Sequence, residues 1–141
     1  MNVRDALGKR LFDFYRNPQV NRQIQELKSV DQKVRQHEMA HKVAGGQYAG
    51  AVHFEYIKGP DGKLYAVAGE VDIDVSDAPT PEETIRKMEQ VKRAALAPLN
   101  PSSQDKKVAA IAEAKKQRAE QELQQQEGRK RGDSIKIDLL V

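Results

Sequence analysis

Three observations predict an α+β fold for this chain. A helical stretch over about residues 29–44 carries His37-Glu38-Met39-Ala40-His41; alternating runs flank Gly59-Pro60-Asp61-Gly62; and Thr80-Pro81-Glu82-Glu83 opens an amphipathic segment. Together they place a helix on a small antiparallel β-hairpin or sheet, with additional helices C-terminal to it. The chain has 141 residues, room for one compact domain on a scale of roughly 100–200 residues per domain. Only 38% of it is hydrophobic and 5% aromatic, so the core must be small and long solvated helices must make up the rest. Three segments are expected: an N-terminal arm over 1–28, a core over 29–100, and a polar helical extension and tail over 101–141.

The arm mixes Leu7, Leu11, Phe12, Phe14 and Tyr15 with the breaker Asn17-Pro18 and a polar run to Lys28. Ser29 and Asp31 offer N-caps for the next helix, and Gly45-Gly46 ends it, because glycine accepts the left-handed conformation common at helix ends. Val52, Phe54 and Tyr56, then Tyr65, Val67, Gly69, Val71 and Ile73, alternate with other residues at the period of a strand. A four-residue loop over 59–62 would pair Lys58 with Lys63, Tyr56 with Tyr65, Phe54 with Val67 and His53 with Ala68. One face then carries His53, Glu70, Asp72 and Asp74, which must meet water, cations or a metal. Thr80-Pro81-Glu82-Glu83 is a capping box with proline at the first helical position, opening a helix over 81–97. Ser102 or Ser103 starts another over 103–127, whose alanine-rich stripe suits an arm or a self-association surface and carries no expected ligand. Ser134 to Val141 reads as a short strand or tail.

Lys and Arg number 24 against 21 Asp and Glu, an interspersed net charge of +3, which argues against a nucleic-acid partner. Cysteine is absent, so disulfides, thiolate metal sites and cysteine nucleophiles are excluded, and any metal must be held by His and carboxylate. With no apolar leader-like run and no stretch approaching 18 apolar residues, neither a membrane span nor membrane association is expected, and a cytoplasmic location is.

In the H-E-x-x-H sequence, the two histidines stand one turn apart on a helix and can reach one Zn²⁺, while Glu38 is placed to take a proton from a water the metal acidifies. Reshuffling this composition returns the pattern by chance in roughly 0.3% of cases, so context must decide. A third ligand is required. Glu70 is the favoured candidate, being central in the hairpin and flanked by Gly69, with His53, Asp72 and Asp74 as alternatives.

From Leu27 to about Asp105 the chain resembles the SprA-related family of bacterial metalloproteases. The resemblance is carried by Asp31, Val34-Arg35, His37-Glu38-Met39-Ala40-His41, Gly45-Gly46-Gln47-Tyr48-Ala49-Gly50, Gly59-Pro60-Asp61-Gly62-Lys63, Tyr65-Ala66-Val67, Gly69-Glu70-Val71, Ile73-Asp74 and Ala97-Pro98. It implies a zincin-like metallopeptidase domain with His37 and His41 as ligands and Glu38 as base. The function expected is therefore zinc-dependent hydrolysis of a peptide or protein substrate. The alternative is a metal-binding interaction module without catalysis.

Overall fold

Asn17-Pro18 starts a helix rather than closing an arm. In the computed structural model, which describes residues 8–9 and 16–140 and side chains only as far as residue 132, α1 runs from Pro18 to Gly45. The Asn17 side chain accepts the Gln19 N–H at 3.0 Å, and proline at the first helical position has no N–H to leave unmet. Ser29 and Asp31, expected as caps, lie inside this helix. The apolar residues Leu7, Leu11, Phe12, Phe14 and Tyr15 lie outside the described residues.

After α1 a single 3-10 turn, Gly46–Tyr48, leads into β1 (Ala49–Lys58), which pairs antiparallel with β2 (Leu64–Ile73) in a two-stranded sheet. Gly46 has φ +53°, the left-handed geometry expected at this helix end. The hairpin loop is one residue shorter than the alternation suggested. Gly62 N–H donates to Gly59 O, and Gly59 N–H donates to Lys63 O at 2.8 Å, so Gly59 rather than Lys58 faces Lys63. Gly62, at φ +78°, takes the position of a turn followed by a glycine bulge, and the Asp61 side chain accepts both the Lys63 N–H and the Tyr65 hydroxyl. The alternation also breaks at Tyr65 and Ala66, consecutive residues that are both buried.

Thr80 caps α2 (Pro81–Ala95) as expected, its hydroxyl accepting the Glu83 N–H at 3.2 Å. The last helix, α3 (Ser103–Leu140), is longer than its expected span, because the segment from Ser134 is helical and not a strand. Its start is a reciprocal cap: Ser102 N–H donates to Asp105 Oδ2 at 2.9 Å, and Asp105 N–H donates to Ser102 Oγ at 3.0 Å. No helix among the described residues is long and apolar enough to cross a membrane.

Two compact units emerge, residues 1–39 with 52–71 and residues 40–51 with 72–141. The helix α1 is continuous through residue 28, and α3 belongs to the second unit. In the first unit, α1 is fastened to the hairpin by Asp31, whose Oδ1 accepts the Ala66 N–H at 2.8 Å. Arg35 donates to the same carboxylate at 3.0–3.1 Å and lies 5.2 Å above the centre of the Phe54 ring. The Ala66 N–H, and after it Arg35, hold the Asp31 carboxyl below the usual carboxylate range. This stabilisation is present above the unfolded pKa, near 4, and is lost as pH falls through the lower folded value. Asp31→Ala is accordingly expected to cost about 1 kcal/mol near neutral pH, with the gap from wild type closing in acid. Denaturant melts at several pH values check it.

In the second unit the core is as small as the composition requires. Met88, Val91 and Ala112 are fully buried, with Tyr48, Ile73, Val75 and Val108 packed around them. Burying side chains the size of Met or Val contributes about 1.5–3 kcal/mol each, and buried Ala109, Ala112 and Ala119 let α3 lie close to its neighbours. Buried Lys87 donates to Asp74 at 2.9 Å and to Ser76 at 3.0 Å. The Ser76 hydroxyl, then Lys87, hold the Asp74 carboxyl far below its ordinary range.

Candidate metal centre

The last three turns of α1 carry His37, Glu38 and His41, and the helical repeat alone puts the two imidazoles on one side. His41 is buried, with 2% of its surface exposed, and its orientation is held from both ends of the ring. Nδ1 lies 2.8 Å from the Ala94 carbonyl oxygen. That oxygen can only accept, so Nδ1 carries the hydrogen, and the lone pair of a neutral ring is on Nε2. A histidine oriented in this way by a backbone carbonyl is prepared to ligate through its other nitrogen.

Nε2 of His41 faces Asp105 Oδ1 at 3.2 Å. Two lone-pair atoms at that distance need a proton or a cation between them. Two donors bonded to one Zn²⁺ at roughly 2.0–2.1 Å and at the tetrahedral angle stand about 3.3 Å apart, so the observed spacing suits a shared ion. His37 completes the set: one ligand atom from each of His37, His41 and Asp105 lies within 4.8 Å of the others. Two imidazoles and one carboxylate are a donor set able to hold a metal ion.

Asp105 is placed by the local chemistry of a helix start. Its Oδ2 caps the backbone at Ser102, which turns Oδ1 toward His41, and the first turn of α3 favours a negative charge there. The helix expected to carry no ligand thus places a carboxylate beside the two histidines. The readable signal was the Ser102-x-x-Asp105 spacing, which marks a capped helix start but does not reveal what else the acid touches.

Glu70, the expected third ligand, is exposed on β2 and is not in this group; His53 and Asp72 are likewise exposed. Asp74 is engaged with Lys87 and Ser76. Glu38, by contrast, is 4% exposed, and its side chain lies against the backbone of Gly69. The Tyr65 hydroxyl is engaged by Asp61, and Tyr48 lies under the Lys87 ammonium, 5.1 Å from its ring centre.

The fold and this group of side chains define an α+β protein with an H-E-x-x-H helix and a His/His/Asp cluster able to hold a metal ion. A family profile described as SprA-related matches residues 16–139, and the chain belongs to the SprA-related family. Comparison with curated proteins and with solved structures finds no match.

Proposed function

We propose that this protein is a zinc-dependent peptidase in which His37, His41 and Asp105 hold the ion and Glu38 is the general base. The observation that carries the reading is the meeting of Asp105 with two histidines of an H-E-x-x-H helix, next to a glutamate that is itself buried. Bound zinc supplies Lewis acidity, polarising a carbonyl and lowering the pKa of water toward roughly 7. Glu38 accepts the proton of the attacking water and delivers it to the leaving nitrogen as the C–N bond breaks, one carboxylate working as base and then acid. The Ala94 carbonyl keeps His41 in the ligating tautomer, and Ser102 keeps Asp105 turned toward it.

A second reading, a metal-binding interaction module, is favoured by one observation. Asp105 lies in the first turn of α3, so an ion shared with His41 would tie that helix to the end of α1 and act structurally. Metal analysis and an activity assay separate these readings. The purified protein is expected to carry about one zinc per chain, lost in His37→Ala, and to cleave an unfolded protein substrate in a chelator-sensitive, zinc-restorable manner. Equal zinc in wild type and His37→Ala would overturn both readings. Zinc without cleavage would favour the module.

A further inference from the structure

Of the nine glycines in the chain, Gly69 is the one whose missing side chain makes room for Glu38. A Cβ built there would stand 2.9 Å from Glu38 Cγ, 3.3 Å from Glu38 Cδ and 3.0 Å from Phe54 Cδ1. Backbone geometry does not demand glycine here, because the positive-φ glycines among the described residues are Gly46 and Gly62. Space does. The closest contact is made by the buried chain of the glutamate rather than by the free end of an exposed side chain, so Glu38 cannot yield without moving its carboxylate.

We infer that Gly69 is a positioning residue: with Phe54 it forms a slot in β2 and β1 that sets where the Glu38 carboxylate stands. This inference rests on Glu38 acting as the general base. Proton transfer requires the carboxylate within hydrogen-bond reach of the water, and a base displaced by up to 1 Å costs on the order of 10²-fold in rate. Residue 69 is not one of the three residues able to hold a metal. A Cβ there therefore acts on the base and leaves the ion in place.

The test is Gly69→Ala, assayed with an unfolded protein substrate alongside zinc content and thermal melting. The expected result is kcat lowered about 10- to 100-fold, with KM within a few-fold of wild type and about one zinc per chain. Ala68→Ser, on the exposed neighbouring position, serves as the strand control and is expected to keep wild-type kcat. Should Gly69→Ala fold poorly, adding Glu38→Ala is expected to restore part of the lost melting temperature, because the truncated side chain no longer meets the added methyl while the Phe54 ring still does. A folded, zinc-loaded Gly69→Ala with wild-type kcat overturns the inference and leaves the peptidase reading standing. So does a poorly folded Gly69→Ala whose melting temperature Glu38→Ala does not raise. A wild type that holds zinc and cleaves nothing overturns the peptidase reading, and the positioning role falls with it; the melting-temperature coupling would then remain as a packing contact alone.

Discussion

Glu38→Gln is expected to abolish most hydrolysis while leaving the metal bound, with kcat lowered about 10²- to 10⁴-fold, the range that general acid–base catalysis supplies. Glutamine has the shape of glutamate, so it occupies the slot against Gly69 without opening a cavity or straining the strand. What it loses is the capacity to take a proton. Because Glu38 is not one of the three clustered donors, zinc content should stay near one per chain in the variant. Cleavage of a fluorogenic peptide, with zinc measured by mass spectrometry on the same sample, checks both halves at once. A variant that cleaves as fast as wild type would remove Glu38 from the mechanism.

The second large effect concerns metal affinity. Asp105→Asn is expected to weaken zinc binding by more than about 100-fold, since even residues that only orient a ligand are worth 10- to 100-fold, whereas Glu70→Ala should remain within a few-fold of wild type. Asparagine retains an oxygen for the Ser102 N–H, so the variant removes the charge and keeps the helix start. Competition with a chromophoric chelator measures the difference, and the opposite order would return the third-ligand role to Glu70. A chain ending at Asn100 should also lose its zinc. Truncation there removes Asp105 and also strips Val108 and Ala112 from the packing around Met88 and Val91, so the point variant is the cleaner test of ligation.

The parts of this protein legible in its sequence are those built by neighbours along the chain. His37 and His41 fall on one helical face because of the 3.6-residue repeat; Thr80 and Pro81 announce α2 by satisfying or lacking the first backbone N–H groups; and Gly59 to Gly62 carry turn chemistry that no strand would tolerate. Even there, the boundaries moved. Ser29 and Asp31 resemble caps because their side chains compete for local N–H groups, yet α1 continues through them, and Asp31 spends its carboxylate on Ala66 and Arg35 instead.

By itself, then, the sequence determined the α+β class, the H-E-x-x-H pentad on one helix, the hairpin and the capped second helix, all of which follow from interactions within a few residues. Only the tertiary structure decided which acid meets the histidines and what surrounds Glu38. Hairpin carboxylates such as Glu70 remain in water on the exposed strand face, while Asp105, distant in sequence, reaches His41 through the start of α3. The reason is physical. Alternation tells which side of a strand a residue takes, and a capping box tells where a helix begins, but the partner of a side chain depends on how separately encoded elements pack.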